Sequence, residues 1–147
     1  MRLRMKSFLT IVLAWAGLAA CQPAGGVAPP GPTPSASASL LDTEWTLVEL
    51  GGRPAPPGAE GRPGTLRLTE TGASGFAGCN RFSAGYAMDG AALRFSAAVL
   101  TRMACSAGME LERDYTAALE AVRSHRLTTQ GLELRGESGV VARFVAR

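Results

Sequence analysis

From Gln22 to Ser39 the chain runs for 18 residues without a charge or an aromatic ring, and five prolines, three glycines, four alanines and three serines fill 15 of those positions. A segment of that composition buries too little apolar area to offset the entropy lost on ordering it. It reads as a low-complexity tether, reaching roughly 25 Å as a flexible coil and up to ~56 Å in extended polyproline form. The folded part must therefore lie downstream, in the 108 residues from Leu40 to Arg147. That length suits one domain with its own core and is too short for two.

Upstream of the tether, Arg2, Arg4 and Lys6 precede an uncharged, mostly apolar run of 13 residues from Phe8 to Ala20. Basic start, apolar middle and small residues at the end are the marks of a secretory signal. As a helix the run would rise only ~20 Å, short of the ~30 Å hydrocarbon core that a permanent span crosses. The join Leu18-Ala19-Ala20-Cys21 resembles the lipobox of bacterial lipoproteins. The resemblance implies a signal peptide over residues 1–20, diacylglycerol transfer to the Cys21 thiol, cleavage just before it, and usually acylation of the new amino terminus. A lipidated Cys21 followed by the tether to Ser39 would hold the domain on a membrane, because two or more acyl chains turn marginal partition into stable anchoring. Gln22, and not Asp, would be the second residue of the mature chain. By the same resemblance this favours the outer membrane, facing the periplasm, in a cell that has one.

Charge sharpens the division. The whole chain carries 15 basic and 12 acidic side chains, a net +3. The three surplus cations are Arg2, Arg4 and Lys6, so 12 arginines face 12 acids in the remainder and no lysine occurs after Lys6. A neutral body without a Lys/Arg-rich run lacks the clustered cations that displace counterions from a phosphate backbone, which argues against a nucleic-acid partner. Without a G-x-x-x-x-G-K-[ST] run, the glycines around Ser74-Gly75-Phe76-Ala77-Gly78 do not make a phosphate loop either.

The domain alternates mainly with period two. Trp45 to Leu50 and Thr65 to Thr69 read as half-buried strands separated by a proline-rich loop, and Gly85 to Met88 with Ala92 to Phe95 read as a hairpin about the turn Asp89-Gly90. A second hairpin is expected from Leu132-Glu133-Leu134 and Val140 to Val145 across Gly136 to Gly139, with Arg126 to Thr129 a strand just before it. One segment changes period: Leu111, Tyr115, Leu119 and Val122 fall on one helical face. Acids at Glu110, Glu112 and Asp114 and basic Arg123 and Arg126 suit the dipole of a helix from about Met109 to His125. The expected fold class is α+β, a curved antiparallel sheet (a partial barrel) of six to eight strands carrying one packed helix.

The chemistry concentrates in two clusters, Gly78-Cys79-Asn80-Arg81-Phe82 and Thr101-Arg102-Met103-Ala104-Cys105. With Cys21 lipidated, two thiols remain in an oxidising compartment, and a Cys79 to Cys105 disulfide is the simplest outcome. A zinc site would need two more ligands from a chain with one histidine, and a thiolate nucleophile would need His125, at the expected helix end, as its base. Asn80 and Arg81, joined by Thr101 and Arg102 across the crosslink, form a candidate patch for a carboxylate or phosphate. The alternative is that Asn80 satisfies turn backbone and Arg81 pairs with an acid. Phe82 and Met103 are expected in the core.

These elements also carry a family resemblance. Trp45-Thr46-Leu47, the GCNRF run with Tyr86, Asp89-Gly90, the T-x-M-A-C run from Thr101 to Cys105 and the helix start Met109 to Tyr115 resemble the META domain, the HslJ-like family, over essentially all of residues 40–147. Members tend to have glycine where Ala84 stands and often proline where Ser106 stands, departures that bear on turns. The resemblance implies a curved antiparallel sheet with a helix, usually lipid-anchored in the cell envelope, with loose links to heat shock, resistance to hydrophobic antibiotics, motility and virulence. It implies no catalytic activity and no cofactor. The expectation is accordingly a monomeric, non-enzymatic binding or structural module serving envelope stress or integrity, held at the membrane, with an envelope protein or small molecule as its partner. A hydrolase acting in the envelope or on peptidoglycan is the first alternative, and an inhibitor or chaperone-like partner of another envelope protein the second.

Overall fold

The computed structural model describes residues 39–147. The apolar leader, Cys21 and nearly all of the tether lie outside the described residues.

Alternation does what it is expected to do at the start of the domain. In β1 (Trp45–Leu50) Trp45 and Leu47 point inward, and β2 (Arg53–Pro54) folds back on the end of β1. In β3 (Thr65–Thr69) Leu66 and Leu68 are fully buried while Arg67 faces out. Then come β4 (Gly72–Phe76), β5 (Arg81–Ala84), β6 (Tyr86–Asp89), β7 (Ala92–Phe95) and β8 (Val99–Leu100). Helix α1 (Met109–Ala121) is followed by β9 (Ser124–Thr128), β10 (Gly131–Gly136) and β11 (Gly139–Ala146). All eleven strands among the described residues belong to one antiparallel sheet in the order β6-β7-β9-β10-β11-β1-β3-β4-β5-β8, with β2 on β1 beside it.

The two ends of that order are halves of a single long hairpin. β5 pairs with β8 and β6 pairs with β7, while Gly85 and Ser96 mark the bend between the halves. There the Gly85 N–H donates to Ser96 Oγ at 2.9 Å and the Ser96 N–H donates to the Gly85 carbonyl at 2.9 Å. One half continues the sheet beyond β4 and the other lies beside β9, so the sheet curls into a half-barrel.

The helix lays Leu111, Tyr115 and Leu119 into the curl, against Trp45, Leu66 and Phe144. The Tyr115 ring meets Phe82 edge-on at 5.8 Å between centroids and tilts against Phe144 at 6.1 Å, and its hydroxyl donates to the Thr65 carbonyl at 3.1 Å. Burial pushes the Tyr115 phenol well above its ordinary pKa, which keeps it a neutral hydrogen-bond donor. On the outside of the sheet Glu49, Arg143, Glu133 and Arg126 form a cross-strand row of alternating sign. Burial works against the ionised Glu133, but hydrogen bonds from Arg143 and Arg135 outweigh it and hold the carboxyl below its ordinary pKa.

Several expectations need correction. Eleven strands replace six to eight, because the bend at Gly85 and Ser96 divides two long strands into four, and because Gly-Ala-Ser-Gly-Phe of β4 has no alternation of large apolar residues to announce it. The first hairpin turns on Gly90-Ala91, one residue later than Asp89-Gly90, with Asp89 paired to Ala92 and Gly90 at φ +55°. The helix stops at Ala121 and not near His125. From Val122 the chain is extended, and the sheet takes its backbone groups: the Arg123 N–H donates to Arg135 and the Arg123 carbonyl accepts from Leu93. His125 is thus a strand residue in β9, not a helix-end cap.

Phe82 is 3% exposed and Met103 is 64% exposed, so only the first belongs to the core. Met103 takes part through its backbone alone. Truncating Phe82 to Ala should cost about 3–5 kcal/mol of stability, whereas Met103→Ala should stay within about 0.5 kcal/mol of the parent, as read from urea unfolding of the two variants.

Candidate functional site

The two sequence clusters meet at the amino-terminal end of α1. Cys79 and Cys105 are joined by a disulfide with their Cα atoms 5.9 Å apart. Both sulfurs are committed to that bond, so neither Cys79 nor Cys105 offers a thiolate as nucleophile or metal ligand. Among the described residues no group of three or more His, Cys, Asp and Glu side chains gathers as a metal site.

Next to the crosslink, residues 77–80 make a tight turn in which the Ala77 N–H donates to the Asn80 carbonyl at 2.8 Å. Gly78 holds φ +132°, and a Cβ there would stand 2.5 Å from the Gly108 carbonyl oxygen and 2.9 Å from the Glu112 nitrogen. Only glycine lets this turn press against the start of the helix. The contact delivers Asn80 to Glu112, in the first turn of α1.

Asn80 is the one buried polar residue among those described, at 3% exposure, and its side chain is fully engaged. Its Oδ1 accepts from Thr101 Oγ1 at 2.9 Å and from the Met103 N–H at 2.7 Å, while Nδ2 donates to the Met103 carbonyl and to Glu112 Oε1, each at 3.3 Å. Its backbone N–H donates to Glu112 Oε2 at 2.7 Å. Thr101 closes the ring: its Oγ1 accepts from the Arg81 N–H at 3.2 Å and its own N–H donates to the Arg81 carbonyl at 3.0 Å. A buried amide that uses every donor and acceptor this way is a structural tie, and an amide so occupied has nothing left for a ligand.

The four residues of the expected patch therefore separate. Asn80 and Thr101 form the tie, the Arg81 backbone joins it, and the Arg81 side chain is exposed on the outer face of β5. Arg102 is exposed beyond β8 and does not share the hollow that Arg81 lines. Glu112, which the sequence presents only as a helix-dipole acid, is the other half of the tie. A carboxylate three residues into a helix, opposite a buried asparagine, leaves no local signal because the partners are 32 positions apart.

Arg81 opens onto a cleft of about 470 Å³ across the outer faces of β3, β4 and β5, where Arg62, Arg67 and Arg147 join it, with Glu44 the acid on the wall. Phe76 pairs with Arg81 across the strands and carries the Arg62 guanidinium 4.1 Å above its ring centroid. Arg67 meets Asp42 at 3.7 Å and Arg147 meets Glu44 at 3.3 Å. Arg62 and Arg81 have no acidic partner within salt-bridge distance among the described residues.

Groups with displaced proton affinity lie elsewhere. Burial lowers the His125 pKa below its ordinary value of 6.5, the Ala91 backbone partly offsetting it, and Nδ1 has no hydrogen-bond partner in the structure. His125, Tyr115 and Glu133 line neither the arginine cleft nor the hollow beside β1 and α1 formed by Leu50, Arg53, Glu110, Asp114 and Val141.

The META domain family model matches residues 38–147, which is all of the described structure. The chain belongs to the META domain family. An NMR structure of a protein from Burkholderia xenovorans is similar, at 30% identity and a TM-score of 0.60, covering 85% of this chain and 95% of that one. A second NMR structure, at 23% identity and TM-score 0.55, covers 77% of this chain and 94% of its own and shares the fold. Among curated proteins none matches this chain. The residues that signal the META domain in the sequence, Gly78-Cys79-Asn80 and Thr101 to Cys105, are those of the crosslink and the tie.

Asn80→Asp should place a carboxylate oxygen against Glu112 Oε1 and the Met103 carbonyl, costing about 2–4 kcal/mol at neutral pH. Burial of the new carboxyl and the like charge of Glu112 beside it raise its folded pKa above its unfolded value, so the deficit should shrink as pH falls toward about 4. Urea unfolding of parent and variant across that range measures it.

Proposed function

We propose that this META-domain chain is a lipid-anchored protein of the cell envelope, acting as a non-catalytic binding module in envelope stress or integrity, the role suggested by its HslJ-like resemblance. The observation that carries the reading is the Cys79–Cys105 disulfide. Such crosslinks persist in oxidising compartments and are rare in the reducing cytosol. The secretory pattern of residues 1–20 and the lipobox ending at Cys21 give the chain a route to such a compartment, and Gln22 after Cys21 favours the outer membrane.

Support for a binding rather than a catalytic role comes from the distribution of chemistry. Catalysis of acid–base type draws on titratable groups whose pKa values are shifted within a concave site. Here the shifted groups are the core phenol Tyr115, the strand histidine His125 and the ladder pair Glu133 and Arg143, and the arginine-lined cleft offers guanidinium groups and one carboxylate, a set suited to holding an anion.

Intact mass of the protein purified from membranes of its native host tests the anchor. The expected species begins at Cys21 and carries acyl chains, and it fractionates with the membrane. An unmodified chain beginning at Gln22, or a soluble cytosolic species, would contradict the reading.

A further inference from the structure

We propose that the cleft formed by Arg62, Arg67, Arg81 and Arg147 is a binding site for a phosphate-bearing ligand. The proposal deepens the binding-module reading, on which it rests, by naming the site and the chemistry it takes.

The sheet builds the cleft by register. Arg67 on β3 stands opposite Ser74 on β4, and two residues along the same face of β4 Phe76 stands opposite Arg81 on β5. Arg67 and Arg81 therefore project from one outer surface, on either side of the middle strand. The segment leading into β3 brings Arg62 over the Phe76 ring, and the residue after β11 brings Arg147 to the rim. These positions span residues 62–147, and only the curled sheet gathers them.

Charge makes the gathering informative. The domain as a whole is neutral, with 12 arginines and 12 acids after Lys6, yet four of those arginines share this cleft with one lining acid, Glu44. Like charges collected in one hollow repel, and an anion relieves that repulsion. Two of the four, Arg62 and Arg81, have no acidic partner among the described residues. Arg62 is held by cation–π contact with Phe76, which orients its guanidinium while leaving its N–H groups available. Arg81 has its backbone pinned by Thr101 and its side chain in solvent.

The other two are held loosely. The Arg67–Asp42 pair is 51% and 66% exposed at its side chains and the Arg147–Glu44 pair 72% and 47%. Exposed pairs of this kind contribute at most about 1 kcal/mol and yield readily to a better acceptor.

Charge and acceptor number favour phosphate. The Arg62 guanidinium lies over the Phe76 ring and Arg81 stands opposite Phe76 on β5, so two arginines without an acidic partner share one cleft. A phosphate group carries up to two negative charges and more acceptor oxygens than a single carboxylate, and so answers more of the guanidinium N–H groups gathered here. Ser74 adds a hydroxyl to the floor. A volume of about 470 Å³ accommodates a phosphate or diphosphate with a small organic group, within the range of ordinary ligand pockets.

Two sources can supply this chemistry, a soluble phosphate compound or the head group of an anionic phospholipid. The test uses the full chain with Cys21→Ser, so that neither arm depends on acylation. Pyrophosphate binding is measured by titration calorimetry at low salt, and membrane binding by co-sedimentation with phosphatidylcholine vesicles made with and without phosphatidylglycerol. Saturable pyrophosphate binding is expected, weakened roughly tenfold or more by Arg81→Gln and by Arg62→Gln and unchanged by Arg102→Gln outside the cleft. Binding confined to vesicles that contain phosphatidylglycerol, with the same pattern of variants, assigns the phosphate to a lipid head group. Because the Arg81 side chain is exposed, its substitution reads the cleft even if losing the Arg62 contact to Phe76 disturbs the fold. Absence of binding in both arms overturns the proposal, as does equal binding by Arg81→Gln and Arg102→Gln. Either failure leaves the acylation of Cys21 unaffected, since that is read by mass.

Discussion

The tie between Asn80 and Glu112, locked beside the Cys79–Cys105 disulfide, is the constraint on which the rest of the structure depends. The helix has no side-chain cap at its amino terminus. It is held there by its own Glu112 carboxylate, which accepts both the backbone and side-chain N–H groups of Asn80. The disulfide fixes the segment after β8 to the turn before β5, and Asn80 Oδ1 and Nδ2 close on the Met103 backbone in that segment. Once the start of α1 is fixed, Leu111, Tyr115 and Leu119 have no choice but to enter the curl of the sheet. The glycine contact of Gly78 with Gly108 sets how near they come.

This arrangement separates the two roles that the sequence motif seemed to combine. The buried face of the turn at residues 77–80 is spent on architecture, and the residue that follows, Arg81, turns outward because β5 starts there and alternates. A single residue of register thus divides a structural asparagine from a cationic side chain available to solvent. The cleft it opens onto owes its remaining cations to β3, to the segment before it and to the chain beyond β11, none of which belongs to the family-marking motif.

What the sequence discloses follows the range of the interactions. Strands whose inward residues are large and regularly spaced were legible to the residue, as in Trp45–Leu50 and Thr65–Thr69, because alternation is a local property. The helix face is legible from Leu111, Tyr115 and Leu119, but its end is not, since the Arg123 backbone just beyond it is claimed by hydrogen bonds with Leu93 and Arg135 in other strands. β4 has no local signal because glycine, alanine and serine supply no pattern. The exposure of Met103 has none either, because it is set by the tie, which uses its backbone and turns its side chain out. The cleft needed the sheet order itself, and no window of sequence contains Arg62, Arg81 and Arg147 together.

A covalent and hydrogen-bonded clamp at residues 79, 80, 105 and 112 holds the helix in the half-barrel. Non-reducing peptide mapping of freshly isolated protein, followed by urea unfolding before and after reduction, tests it most directly. The account predicts one crosslinked peptide containing Cys79 and Cys105 and a loss of about 3.5 kcal/mol on reduction, the scale expected for closing a loop of this length. Two free thiols in the isolated protein, or unfolding that reduction leaves unchanged, would contradict it.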